Sequence, residues 1–326
     1  MSAISSQCTG KWSSILLTLG IDQTHLSGKH APCPACGGKD RFRFDNKDGR
    51  GTFYCSNCGA GDGFTLLQKV NDWTFSECAK EIEKIVGKCS ATQSDVKPKQ
   101  ATNEQRLKRI HSGLKRITRD DAVWRYLKGR GIDILPKNDV FFHPAIDYWH
   151  RDDAGKPVKV GTFPAMVSVM RNLDDEVCTY HVTYLTDEGQ KISGYPAKKM
   201  MPIIKPLPGA SIRLGGQGEM VGISEGIETA LAAQQLEGYP CWAAANAVLM
   251  EQVQVPSYIG AVVIYPDEDA SFTGQAAAYA LAKRLKAEGK TVYVSRLLGL
   301  DGQIIIDSGA DRDYCDYIKE QNAEVF

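Results

Sequence analysis

The stretch from Glu219 to Asp269 constrains the fold more than any other part of the chain. It opens on a short apolar run, MVGIS, that ends at Glu225-Gly226. A helix-like segment follows, IETALAAQQLEG, then a small-residue run, PCWAAA, and a second short helix. A strongly apolar run, AVVIY, closes the pattern and ends on Pro266-Asp267-Glu268-Asp269. Apolar runs alternating with amphipathic segments predict β-α-β-α-β, hence a parallel sheet with helices on its faces. In such sheets the chemistry sits beyond the carboxyl ends of the strands. Glu225 and the Asp267/Asp269 pair fall at two such ends.

Three carboxylates held together repel one another, and a hard divalent cation removes that conflict. Asp267 and Asp269 are two apart, so an extended segment points both the same way. Taken alone, Asp-Glu-Asp reads as a solvated turn before a helix, with Asp269 near an N-cap. The Glu-Gly at the end of the upstream strand shifts the reading to a metal site.

Three segments then carry a family resemblance. EGIETALA, YPDEDASFTGQAAA and GADRDYCDYI resemble the three acidic motifs of the Toprim domain. That domain is shared by bacterial and phage primases, topoisomerases and some nucleases. The resemblance implies a Rossmann-like parallel sheet and catalytic carboxylates at Glu225, Asp267 and Asp269. It implies Mg²⁺ or Mn²⁺ held by these three with Asp311, which together with Asp313 matches the downstream acidic pair. One position departs from the pattern: many Toprim domains place an acid four residues after the Glu, where this chain has Thr229, with Glu228 beside it.

The N-terminal region rests on a different chemistry. Cys33-Pro-Ala-Cys36 and Cys55-Ser-Asn-Cys58 are paired CxxC knuckles at a separation suited to zinc. Two tight turns each deliver two thiolates to a tetrahedral Zn²⁺, and four protein ligands make a closed, structural site. Gly37-Gly38 and Gly59 follow the knuckles, where the chain must reverse. His30 is close enough to offer a ligand but reads as a surface residue. Between the knuckles, Phe42, Phe44, Phe53 and Tyr54 alternate with Arg41, Arg43 and Arg50, and Asp48-Gly49 supplies a turn, which predicts a β-hairpin. Its aromatics either stack unpaired bases or form the ribbon's own small core, while its arginines neutralise phosphates or are solvated. The stretch CPACGGKDRFRF…GRGTFYCSNCGAGDGFTLL resembles the zinc ribbon of primases from phage P4 and related mobile elements. The resemblance implies that Arg41 and Arg43 engage a single-stranded DNA template.

A polar linker, about Cys89 to Thr102, leads into a region read as helical over 103–129. It carries Arg106, Lys108, Arg109, Lys115, Arg116, Arg119, Arg125 and Lys128 against few acids. A one-signed helical face is ordinarily a solvated surface; next to a zinc ribbon it is also a phosphate-binding face. Residues 130–218 read as short strands and turns punctuated by Pro136, Pro144 and Asp187-Glu188-Gly189. From Gly189 to Gly218 no acid occurs, and Lys198, Lys199 and Arg213 are expected to bind the triphosphate of an NTP. YLKGRGI, FHPAI, FPAMV and HVTYLTDEGQK resemble segments that precede Toprim in the same primases.

The expected architecture is therefore a multidomain α+β and α/β chain: a zinc ribbon in 1–90, linker and basic helices in 91–130, a mixed α+β first part of the polymerase core in 131–218, and Toprim in 219–326. Net charge is zero, so bulk charge announces no partner. No apolar run reaches the roughly 20 residues of a membrane span, no signal-peptide layout opens the chain, and ten cysteines read mainly as metal ligands and scattered thiols point to a reducing cytoplasm. The sequence holds no GxxxxGK[ST] loop, so unwinding is expected from a separate replicative helicase. The resemblances imply a DNA-dependent RNA primase of a phage, plasmid or other mobile element. A Toprim nuclease and a non-catalytic, zinc-dependent single-strand-binding accessory protein are the alternatives. The cysteine spacing by itself makes a prediction. Elemental analysis of chelator-free protein should find one zinc per chain, and Cys55→Ser should unfold the ribbon while the Toprim region keeps its melting transition; zinc-free protein would refute the assignment.

Overall fold

The computed structural model describes residues 3–87, 97–151, 157–216, 218–267, 272–295 and 314–323. The chain falls into two compact units, Met1–Thr102 with Ile146–Phe163, and Asn103–Ala145 with Pro164–Phe326.

In the first unit, helices α1 (Ala3–Cys8) and α2 (Trp12–Thr18) precede a four-stranded antiparallel ribbon. Its strands are β1 (Ala31–Cys33), β2 (Gly37–Phe44), β3 (Phe53–Cys55) and β4 (Gly59–Gly61), paired in that order. Helices α3 (Gly63–Asn71) and α4 (Phe75–Val86) follow. Thr74 starts α4 with a reciprocal cap: its hydroxyl accepts from the Glu77 amide, and the Glu77 carboxylate accepts from the Thr74 amide. Trp12 ties α2 to α3, lying edge-on to Phe64 with ring centroids 4.9 Å apart. It reaches that position because Gly51 and Gly63 present no Cβ where its ring passes.

The hairpin expected between the knuckles is present, and strand alternation sorts its side chains. Phe42, Phe44 and Phe53 face inward and are buried, with Phe42 and Phe53 stacked at 5.4 Å. Arg43 lies opposite Tyr54, and Tyr54 opposite Ala60, all on the outer face. Of the two readings of the aromatics, three phenylalanines are core and Tyr54, 56% exposed, is surface.

In the rest of the chain, α5 (Lys97–Ser112) and α6 (Ala122–Gly129) lead to a sheet of β5 (Val140–Arg151), β6 (Pro157–Arg171), β7 (Val177–Tyr184) and β8 (Lys198–Met200), in that order. The helical region expected over 103–129 is thus broken. Residues from Gly113 to Asp121 leave the helix, and Lys115 pairs both ways with Phe142 of β5 at 2.7 and 2.9 Å. The break begins at Gly113, where a Cβ would sit 2.1 Å from the His143 ring. The second helix restarts at Asp121, whose carboxylate accepts from the Trp124 amide at 2.9 Å. Residues 130–218 also differ from the short strands expected. β5 and β6 run 12 and 15 residues; β5 continues through Pro144 because it is an edge strand, where a missing N–H is tolerated.

The last sheet contains β9 (Ile212–Arg213), β10 (Met220–Ser224), β11 (Cys241–Ala243), β12 (Ala261–Tyr265) and β13 (Thr291–Val294). Helices α7 (Ile227–Glu237), α8 (Ala247–Gln252) and α9 (Thr273–Ala287) connect the strands, and α10 (Tyr314–Ala323) packs against α7. The order is β13-β12-β10-β11-β9. β10 pairs in parallel with β11 and β12, and β12 with β13, as the alternating pattern predicts. β9 adds an antiparallel edge on β11, which makes the sheet mixed. β10 is central and covered on both faces, and it accordingly reads as a nearly unbroken apolar run. Gly222 at its middle admits Cys241 and Tyr265: a Cβ there would lie 2.4 Å from the Cys241 sulfur and 2.9 Å from the Tyr265 ring. Gly222→Ala should therefore cost about 1–3 kcal/mol by overpacking, read as a lower denaturation midpoint. An unchanged midpoint would mean that this strand packs loosely.

Candidate functional site

The zinc knuckles form the turns between β1 and β2 and between β3 and β4. Each ends on a left-handed glycine, Gly37 (φ 68°) and Gly59 (φ 81°), where a side chain would be strained. The four thiols of Cys33, Cys36, Cys55 and Cys58 all lie within 4.8 Å of one another. Cys33 and Cys58 sulfurs are 3.9 Å apart, and Cys36 and Cys55 sulfurs 3.7 Å. Ligands about 2.3 Å from a tetrahedral zinc lie about 3.8 Å from each other, so the spacing fits Zn²⁺. The Cys58 amide donates to the Cys55 sulfur at 3.4 Å, which helps to hold that thiolate in place. His30 is not drawn into this cluster: its Nδ1 meets the Asp40 carbonyl at 2.9 Å. Burial pushes the Cys33 thiol up to about 11 and Cys58 higher still. For Cys36 burial acts in the same direction, but hydrogen bonds from Cys58 and Asn57 outweigh it and bring the thiol to about 7. Zinc must displace these protons, so its affinity falls as pH falls.

The second set of residues sits where the parallel sheet changes direction. From β10 the chain crosses to β11 on one side; from β12 it crosses to β13 on the other. The crevice between the ends of β10 and β12 is thus a topological switch point. Ser224 and Tyr265 are paired across it, so Glu225 follows one strand by one residue and Asp267 follows the other by two. Neighbouring strands lie about 4.8 Å apart. Glu225 is held through its backbone, its carbonyl accepting from the Ala245 amide at 2.8 Å. The Ser224 hydroxyl donates to the Gly226 carbonyl at 2.8 Å and stiffens the turn into α7. The Thr229 hydroxyl, in the first turn of α7, donates to Asp267 Oδ1 at 3.0 Å. Hard carboxylate oxygens at neighbouring strand ends are the donor type that suits a hard divalent cation rather than a softer metal. Asp269 and Asp311 lie outside the described residues.

Beside this crevice a buried carboxylate pairs with a partly exposed lysine. Glu228 is 5% exposed. Its carboxylate accepts from the Tyr126 hydroxyl at 2.6 Å and from Lys198 Nζ at 3.0 Å. Burial works against the Glu228 charge, but Lys198, the Tyr126 hydrogen bond and Lys191 overcome it and hold the carboxyl well below the usual range. Burial likewise works against the Lys198 ammonium. The charge and hydrogen bond of Glu228, with the charge of Asp267 behind them, outweigh it and raise the pKa above that of an ordinary lysine. The Lys191 ammonium lies 5.8 Å from the Tyr126 ring centroid. His181 on β7 shares the cluster; lost hydration, reinforced by Lys198, pushes it down to about 4, so its imidazole is neutral.

The residues expected at a triphosphate separate in the structure. Lys198 reaches Glu228 and feels Asp267. Lys199 follows it in a strand and so points to the opposite face, where burial lowers it to about 8. Arg213 is not brought to the crevice. β9 lies two strands from β10, and the guanidinium sits over Trp242 at 5.1 Å, donates to the Asn172 carbonyl at 2.6 Å and pairs with Asp175 at 3.4 Å. In the first unit, Arg43 is exposed and Arg41 half-buried on the outer side of the ribbon. The eight basic residues between Arg106 and Lys128 are exposed; of these Arg125 donates to the Asp187 carbonyl and Lys128 pairs with Asp133 at 2.7 Å. The sequence reading missed Tyr126, since nothing local links it to a carboxylate about a hundred positions away. It also missed the tasks of Glu228 and Thr229, which differ although the residues are adjacent.

Comparisons with known proteins bear on both sites. A family model described as the zinc-binding domain of primase-helicase matches residues 28–64, and a Toprim domain model matches 220–322. Between them, residues 101–214 match a domain of unknown function, DUF7146. Among solved structures, the chain is similar to the zinc-binding and RNA polymerase domains of the Aquifex aeolicus primase. Identity is 17%, over 99% of this chain and 84% of that one, with a TM-score of 0.41. It is similar to the primase fragment of the bacteriophage T7 primase-helicase protein at 14% identity, over 91% and 97%, with a TM-score of 0.36. For a DNA primase domain from Pseudomonas aeruginosa the figures are 14%, 69% and 75%, and 0.41. The chain thus carries a primase-type zinc ribbon followed by a Toprim domain.

The buried pair makes a testable prediction. Glu228→Gln leaves Lys198 and the Tyr126 hydroxyl without their anion, and should cost on the order of 3 kcal/mol, the lower end for a broken buried pair because the lysine head is partly solvated. A carboxyl whose folded pKa is depressed stabilises above its unfolded pKa and loses that effect as pH falls through the folded one. The gap between wild type and variant should therefore be full at pH 7 and close only in acid, below about pH 4. Equal denaturation midpoints at pH 7 would contradict the pairing.

Proposed function

We propose that this chain is a DNA-dependent RNA primase, making short RNA primers on single-stranded DNA in the replication of a phage, plasmid or other mobile element. One observation carries the reading: a single chain joins a Cys₄ ribbon with a basic and aromatic outer face to a Toprim sheet with carboxylates at its switch point. In the reaction a 3′ hydroxyl attacks the α-phosphate of an NTP and pyrophosphate leaves. Glu225 and Asp267, with Asp269 and Asp311, would hold Mg²⁺ or Mn²⁺. Such an ion lowers the pKa of the attacking hydroxyl and stabilises the leaving oxygen. Lys198, protonated at working pH, would offset triphosphate charge at the edge of the crevice. Arg41 and Arg43 would neutralise template phosphates, and Tyr54 would stack a base. Unwinding would be the work of a separate replicative helicase, in the cytoplasm. No helix among the described residues is long and apolar enough to cross a membrane.

The test is incubation with single-stranded template, labelled NTPs and Mg²⁺. Short RNA is the expected product. Asp267→Asn should lower its formation by two or more orders of magnitude, roughly the several kcal/mol that metal stabilisation contributes. Template binding by the variant should persist and weaken with salt, since it rests on phosphate contacts elsewhere. Template cleavage in place of RNA would make the chain a nuclease, and a gel shift with no chemistry would make it a binding accessory.

A further inference from the structure

Two neighbouring residues in the first turn of α7 serve different partners. Glu228 turns into the fold and is fixed by Tyr126 and Lys198. Thr229, about 100° further round the helix, is 2% exposed and donates its only hydroxyl proton to Asp267. The turn that carries it has little freedom. Gly226 accepts from Ser224 and from the Ala230 amide, and Glu225 is pinned to Ala245. Thr229 is therefore set on a rigid support that also carries Glu225, and its hydroxyl reaches across to the carboxylate on the other strand end.

We infer that Thr229 is a positioning residue for the divalent cation site, an inference that rests on the metal-binding reading of Glu225 and Asp267. Its hydrogen bond to Oδ1 fixes the rotation of the Asp267 carboxylate, and with it the direction in which that group meets a cation. Donors placed behind ligating groups act in this way, and losing one typically weakens metal binding 10–100-fold. The hydroxyl does so without adding charge. A carboxylate at this position would stand against Asp267 and repel it until a cation arrived; threonine lets the crevice keep its shape with or without one. Were Thr229 merely a core residue, its methyl and hydroxyl would be exchangeable for the two methyls of valine.

The measurement is Mn²⁺ binding to the full, zinc-loaded chain without nucleotide, by calorimetry or by the loss of free Mn²⁺ signal in electron paramagnetic resonance. Thr229→Val should weaken binding about tenfold or more while the thermal midpoint changes little. Thr229→Ser, which keeps the donor, should bind close to wild type. In the priming assay the valine variant should need a correspondingly higher Mg²⁺ concentration for half-maximal rate, with its KM for NTP at saturating Mg²⁺ unchanged. Should the valine variant fail to fold, Thr229→Ala replaces it in the same comparison with serine. Wild-type affinity in the folded variant lacking the hydroxyl, or a serine variant no better than it, overturns the role of Thr229 alone. Wild-type protein whose Mn²⁺ binding is absent or survives Asp267→Asn overturns the metal site itself, and this inference with it.

Discussion

A carboxylate removed from water must find positive charge and hydrogen-bond donors within reach, and Glu228 finds both at once. Its partners come from distant parts of the sequence: Tyr126 from α6 and Lys198 from β8. One buried anion therefore fastens a helix of the basic region, a strand of the middle sheet and the leading turn of α7. That turn is where the crevice begins, since Glu225 and Gly226 immediately precede it. The same pair keeps Lys198 protonated, and the charge of Asp267 acts in the same direction. Fold stability and the electrostatics of the crevice thus depend on one contact, and disturbing it alters both.

The two candidate metal sites show how donor chemistry and backbone geometry divide the work. In the ribbon, four soft thiolates close around a position with no room for substrate, and left-handed glycines bring the chain round twice. At the switch point, hard oxygens follow the ends of two neighbouring strands. The first arrangement suits holding together a small ribbon whose inner face carries Phe42, Phe44 and Phe53. The second suits chemistry, because the strands supply rigidity and the exits of β10 and β12 supply the gap.

Much of this was legible in the sequence where a local pattern has one physical solution. Paired CxxC turns followed by glycine determine the ribbon, and apolar runs ending in acids determine three parallel strands, with Glu225 and Asp267 following the ends of neighbouring ones. The reading failed where the decision is made at long range. Gly113 breaks a helical pattern because His143, thirty residues later, occupies the place of its missing side chain. Pro144 does not end a strand, because β5 is at an edge, and edge position is a property of the whole sheet. The alternation of Lys198 and Lys199 could be anticipated only once that segment was known to be a strand. The partners of Arg213 were beyond local reading for a similar reason, since Trp242 and Asp175, which engage it, are remote in sequence.

The outer side of the ribbon carries one more consequence. Strand alternation places Phe42, Phe44 and Phe53 on one side and Arg43, Tyr54 and Ala60 on the other. The residues that make the ribbon fold are thus not those on its exposed face. Exchanging Arg43 or Tyr54 leaves the buried phenylalanines and the thiolates in place, so the exposed face can change while the scaffold holds. A module of this kind can change the charge and chemistry of its surface by substitution there alone, without passing through an unstable intermediate.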